Sequence, residues 1–186
     1  MTTQRRLRTD ARRNRDLLVA AARETFDADG PEASLNEIAR RAGVGPGTLY
    51  RHFPSRAELL AAVLRDRIET LCERAESLIG ADSPDEALAR WLGVFLTHAR
   101  VNQALIGSTM TGEPEALGVD CHRMILDAAA ALLTRAQREG STRADLTAPD
   151  LLQLVVGIAL STAHSADDAQ SARLLSLVLD ATREQA

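Results

Sequence analysis

Apolar residues recur along this chain at the three-and-four spacing of a helix face, and no stretch alternates with the period of two that a half-buried strand requires. Leu17, Leu18, Ala21, Ala22 and Phe26 mark a first helix over about 11–28, closed by Gly30 and Pro31. Ser34 and Glu37 form an S-x-x-E capping signature, and Ile38, Ala39 and Ala42 follow before Gly43, a residue suited to the left-handed turn after a helix. A short second helix over 35–42 is predicted. Pro46 fits the first turn of a third helix, which reaches about Phe53 before Pro54 stops it. Ser55 with Glu58 opens a long fourth helix through Ile79, ended by Gly80. Ser83, Pro84 and Glu86 begin a fifth, carrying Leu88, Trp91, Leu92, Phe95 and Leu96, and the segment NQALIGSTMTGEPEALG reads as a broken helix with a loop. A longer helix covers about 119–139, and two more, opened by Thr147, Pro149 and Asp150 and by the run DDAQSARLLSLVLDATREQ, complete the chain. The expectation is an all-α protein of about nine helices.

Composition narrows the class. The chain has 186 residues, 45% hydrophobic and 26% charged, which is enough to bury a core. No apolar run approaches the roughly 18 residues of a membrane span, and the N-terminal stretch lacks the apolar segment of a signal peptide, so a cytoplasmic protein is expected. Cys72 and Cys121 are the only cysteines and lack metal-ligand spacing. Both read as small buried hydrophobes, and neither a metal nor a cofactor is expected.

The net charge of −4 hides an asymmetry. Residues 1–56 carry 11 arginines against 7 acids, whereas residues 57–186 carry 11 against 19. Local positive charge, not the net value, sets affinity for a polyanion. The division into 1–56 and 57–186 therefore also separates a segment suited to nucleic acid from one that is not.

The stretch RRAGVGPGTLYRHFPSR carries the sharpest chemistry. A short helix, a turn at Ala42–Gly45 and a second short helix make the pattern of a helix-turn-helix. Gly43 permits the turn, Val44 plugs the space between the helices, and Leu49 with Phe53 would hold the second helix to the core. That leaves Pro46, Gly47, Thr48, Tyr50, Arg51 and His52 at the start and outer face of a helix too short to be a core element. Small residues there allow close approach to the major groove, Thr48 can meet a base edge, and Tyr50 and His52 can bond phosphate oxygens. A helical corner that happens to contain a tyrosine and a histidine is the bland alternative.

The segment SLNEIARRAGVGPGTLYRHFPSRAELL resembles the DNA-binding segment of the TetR/AcrR family of bacterial transcriptional regulators, over about residues 11–64. The resemblance implies that Ser34 caps the supporting helix at the phosphates and that Asn36 stands at a base-contacting position. It further implies that Pro46, Gly47 and Thr48 face bases and that Tyr50, His52 and Arg56 contact phosphates. Arg56 replaces the commoner lysine, and Leu35 stands where some members carry a hydroxyl. From the same resemblance the rest of the chain is expected to bind a small-molecule effector and to dimerise through its last two helices, giving a ligand-released repressor on an inverted-repeat operator of double-stranded DNA.

The residues of the second segment are compatible with those roles. LLQLVVGIAL and ARLLSLVL are apolar around more than one face, so Val156, Leu160, Leu175 and Val178 are candidates for an intersubunit contact. Trp91, Phe95 and His98 share a face of the fifth helix, Cys121, Met124 and Ile125 share one on the helix after it, and Leu71 and Cys72 lie on the fourth. These could line an effector pocket, and the same stripes also fit plain core. No GxSxG, HExxH or glycine-rich phosphate loop is present, so nothing points to an enzyme. An interaction protein whose helix-turn-helix no longer binds DNA is the remaining alternative, and Thr48, Tyr50, His52 and Arg56 speak against it.

Overall fold

A computed structural model of the chain describes residues 2–109, 118–163 and 168–183. Eight helices make up the described residues: α1 (Thr2–Asp29), α2 (Leu35–Arg41), α3 (Pro46–His52), α4 (Arg56–Leu78), α5 (Pro84–Thr109), α6 (Gly118–Arg138), α7 (Ala148–Ser161) and α8 (Asp168–Thr182). The first part of the expected broken helix continues α5 without interruption to Thr109. The loop expected after it lies outside the described residues. At the other end α1 starts at Thr2 and not near residue 11, the expected start.

The described residues divide into two compact units: those up to Asp66 within α4, together with residues 107–109 at the end of α5, form the first, and the rest form the second. In the first unit Leu18, Ala22 and Phe26 of α1, Ile38 and Ala39 of α2, Leu49 of α3, and Leu59 and Val63 of α4 are all buried. These are the three-and-four positions read from the sequence, so each short helix owes its place to one or two side chains. Thr25 is buried among them and its hydroxyl donates to the Ala21 carbonyl at 2.7 Å, which leaves no polar atom of that side chain unmet.

The second unit has a larger core, to which α4 gives Leu71, Ala75 and Leu78, α5 gives Leu88, Trp91, Leu92, Phe95 and Leu96, and α6 gives Leu132 and Leu133. Leu151 and Val155 of α7 and Leu175 of α8 complete it. Polar contacts close the helix ends. The Arg135 guanidinium donates to the Ile79 and Ala81 carbonyls, capping the C-terminus of α4 from α6. At the start of α7 the Thr147 hydroxyl accepts from the Asp150 N–H while the Asp150 carboxylate accepts from the Thr147 N–H at 3.1 Å, a reciprocal capping box.

Trp91 is fully buried, its indole N–H donates to the Leu71 carbonyl at 3.0 Å, and its ring stacks on Phe95 with centroids 5.7 Å apart. The stack continues to His98 at 6.4 Å. Beyond it runs a polar relay whose directions are fixed by chemistry. Arg67 can only donate, so its Nη1 at 2.9 Å makes Oδ1 of Asn102 the acceptor. The amide Nδ2 of Asn102 then donates to Nε2 of His98 at 2.7 Å, which requires a neutral imidazole protonated at Nδ1.

Burial, with the Arg67 charge as a lesser cause, lowers the His98 pKa from 6.5 to about 4. A lowered folded-state value means that the unfolded chain binds the proton more tightly, so the contribution of neutral His98 is complete above pH 6.5 and is lost as pH falls towards 4. We predict that acidification across this window costs on the order of 2–3 kcal/mol of stability. Denaturant unfolding of wild type and His98→Gln at pH 7 and pH 4.5 checks this: the wild type should lose more stability on acidification than the variant.

Candidate nucleic-acid interface

The geometry of α2 and α3 follows from how α2 stops. Ser34 stands in extended conformation at its N-cap and its hydroxyl accepts from the Glu37 N–H at 3.4 Å. At the other end Gly43 adopts a φ of 70°, the Gly43 N–H reaches the Arg40 carbonyl at 3.1 Å, and the Val44 N–H reaches the Ala39 carbonyl at 3.0 Å. This pair of bonds is a Schellman motif, and it turns the chain sharply at a position where any side chain would strain the backbone. Val44 is half-buried at the turn, as its expected plugging role requires. Gly45 then serves as the N-cap of α3 with Pro46 in the first turn.

Of the seven residues of α3, only Leu49 is buried. Phe53, the C-cap, is buried with it, and its N–H bonds the Leu49 carbonyl at 2.8 Å. Pro46, Gly47, Tyr50 and Arg51 are exposed, and Thr48 and His52 are half-buried. Asn36 on α2 is also exposed. A Cβ built on Gly47 would meet nothing within 4 Å, so no packing inside the protein explains a glycine in this helix.

Three features here were not read from the sequence. Arg15 of α1 lies over the Phe53 ring, 5.3 Å from its centroid, tying the arginine-rich helix to the end of α3. Such a contact joins residues far apart in sequence and leaves no local signal. Glu37 accepts from Arg40 Nε at 2.8 Å and Arg41 Nε at 2.9 Å, and these two arginines, Arg40 foremost, hold its carboxyl down at about 2. The i,i+3 and i,i+4 spacing could have shown that cluster. Arg56, expected at a phosphate, sends Nη1 back to the Pro31 and Ala33 carbonyls, both at 2.7 Å. In this arrangement it braces the turn between α1 and α2 against the start of α4.

The expected effector residues do come together in the second unit, as packed side chains of α4, α5 and α6. Leu71, Trp91, Phe95 and Cys121 are buried, and Cys72, His98, Met124 and Ile125 are half-buried. Cys72 Sγ donates to the Met124 carbonyl at 3.6 Å, and burial is the main cause that raises its thiol pKa. Of the expected intersubunit residues, Val156 and Leu160 are 38% and 53% exposed, and Val178 is half-buried against the core. Leu175 corrects the expectation: it is 7% exposed and faces the core of its own chain, with Cδ2 4.0 Å from a Cβ built on Gly93. Leu177, exposed at 58%, is the α8 residue that faces outward. The core of α8 therefore sits two positions away from its open face, a phase that apolar content alone did not set.

The short helices α2 and α3 joined by a tight turn, with a larger all-helical unit following, have the layout of a helix-turn-helix regulator. Residues 18–63 match the profile of bacterial regulatory proteins of the tetR family, and residues 83–183 match the C-terminal domain of SbtR-like transcriptional regulators. An uncharacterized HTH-type transcriptional regulator of Mycobacterium bovis is 36% identical over 157 residues, covering 81% of this chain and 80% of that relative. A TetR transcriptional regulator from Streptomyces coelicolor is similar in structure with a TM-score of 0.76, at 37% identity over 92% of this chain and 99% of the other. A TetR regulatory protein from Mycobacterium vanbaalenii gives the same TM-score at 33% identity, over 96% and 99%. The chain belongs to the TetR family of helix-turn-helix transcriptional regulators. No helix among the described residues is long and apolar enough to cross a membrane.

The Arg56 contacts give a prediction that separates bracing from binding. Hydrogen bonds from a charged donor contribute about 1.5–3 kcal/mol each way they are counted, and two carbonyls would lose theirs together. Arg56→Ala is expected to destabilise the protein by about 2 kcal/mol in urea denaturation without DNA present, an effect that a residue serving only as a phosphate contact would not produce.

Proposed function

We propose that this chain is a homodimeric transcriptional repressor that reads an inverted-repeat operator in double-stranded DNA through α3 and is released by a small-molecule effector. The observation that carries the reading is α3 itself: it is fixed by Leu49 and Phe53 and keeps Pro46, Gly47, Tyr50 and Arg51 open to solvent. In this reading Pro46, Gly47, Thr48 and Asn36 face base edges, and Ser34, Tyr50, Arg51 and His52 bond phosphates. Arg56 acts by holding the turn, with its remaining donors near the backbone. The arginines of the N-terminal segment supply positive charge on this side only, which suits a protein that works in the cytoplasm on DNA.

A single α3 reads a few base pairs, so specificity calls for two copies related by a two-fold axis. Leu154, Val156 and Leu160 on α7 and Leu177 on α8 are large apolar side chains left in solvent, and they support a dimer through these helices. The reading is tested by selecting bound sequences from random DNA. A consensus with dyad symmetry is expected, and a consensus without it rules the dimeric reading out.

Two sets of variants sharpen it. Gly47→Ala should leave the fold as stable or more stable by up to about 1 kcal/mol, since alanine is the better helix former and meets no neighbour, while operator affinity drops. Thermal melting and a mobility-shift titration of the same sample show whether the two properties part. Leu160→Glu and Leu177→Glu should sediment as folded monomers that no longer bind operator, whereas Leu175→Glu should unfold, because it buries an unpaired charge in its own core.

A further inference from the structure

The face of α5 that turns away from Trp91 and Phe95 lines a cleft of about 520 Å³ against α8, within the range of small-ligand sites. Its walls are Gly93, Leu96, Val101, Ala163, Ala172 and Leu175, and its polar groups are Thr97, Arg100, Asp168 and Ser171. Along α5 the lining runs Gly93, Leu96, Thr97, Arg100 and Val101. Gly93 and Leu175 lie at one end, Leu175 Cδ2 being 4.0 Å from a Cβ built on Gly93. Arg100 stands seven residues further, two helical turns or about 10 Å away.

Arg100 is the unusual member. Its side chain is only 21% exposed, yet the carboxylate on its Nη1, that of Asp168 at 2.5 Å, is 88% exposed. Ser171 Oγ accepts from the same Nη1 at 3.4 Å, and its hydroxyl donates to the Asp168 carbonyl. A guanidinium largely removed from water gains most from a carboxylate that is removed from water with it, and a carboxylate mostly in water is a weak partner. Asp168 thus occupies, from the solvent side, the position that an anion lying in the cleft would take.

We propose that this cleft binds an aliphatic monocarboxylate, with the chain along Leu96, Val101 and Leu175 and the carboxylate on Arg100 in place of Asp168. The walls suit a medium-length chain, and Arg100, the one cation among the described lining residues, selects an anionic head over a neutral or cationic one. The site does not depend on the DNA-binding reading and is tested without DNA.

Decanoate, decanol and decylammonium, each below its micellar concentration, are titrated into the full chain while the fluorescence of Trp91, the only tryptophan, is followed from the opposite face of α5. Decanoate is expected to bind at least about tenfold tighter than the other two, since hydrogen bonds to a charged group carry that much. Arg100→Gln should lose this preference. Asp168→Asn should bind decanoate several-fold tighter than wild type, because the competing carboxylate is gone; a merely structural ion pair would give no gain. Equal binding of decanoate and decanol, tighter binding of decylammonium, no binding of any probe, or weaker or unchanged binding in Asp168→Asn each overturns the proposal. Should Arg100→Gln fail to fold, as judged by circular dichroism, the probe comparison and Asp168→Asn decide the matter alone.

Discussion

A helix of seven residues does not hold itself together in water, so α3 exists only because Leu49 and Phe53 are buried beneath it. Fully burying one leucine contributes roughly 1.5–3 kcal/mol, enough to fix two turns but not to tolerate much strain. The other features of the first unit follow from that constraint. The Schellman turn at Gly43 delivers α3 to its place without a clash, the Gly45 cap leaves its first turn uncluttered, and Arg15 lies over the Phe53 ring. Because Leu49 and Phe53 are its buried anchors, Pro46, Gly47, Tyr50 and Arg51 are released from packing and can be chosen for what lies outside the protein.

The local rules were legible in the sequence where a single residue decides the backbone. Gly43, Ser34 and Pro46 each act through their own φ or their own side chain, and the structure puts the second and third helices within a residue of the predicted bounds. The α7 capping box was legible for the same reason. Legibility ended where two distant residues meet. Arg56 looks like an exposed cation just past a turn, and only the folded chain shows that the Pro31 and Ala33 carbonyls lie within 2.7 Å of it. The phase of α8 was hidden for a different reason: a helix apolar on several sides gives no single moment direction, so the sequence could not say that Leu175 turns inward and Leu177 outward.

Aromatic residues show the same limit in the second unit. A tryptophan, a phenylalanine and a histidine on one helix face fit either a pocket or a core, since both environments want large apolar surface with a few polar handles. In the folded chain those handles are engaged within the protein: the Trp91 indole on Leu71, and His98 on Asn102, itself held by Arg67. A ligand entering there would have to offer hydrogen bonds at least as good as these. The cleft on the opposite side of α5 differs, because Asp168, which meets Arg100 there, is mostly exposed to water.

This contrast bears on how a helical bundle can carry both stability and responsiveness. Buried polar groups that are fully matched resist change, as the cost of unmatching any one of them is the whole desolvation penalty. The relay from Arg67 to His98 belongs to that class and keeps α4 and α5 in one register at neutral pH. An ion pair with one half-buried and one solvated member belongs to the other class, since its solvated partner can leave at little cost. Arg100 and Asp168 form such a pair at the junction of α5 and α8. Of the two, it is this second pair whose partner can be exchanged at the smaller cost.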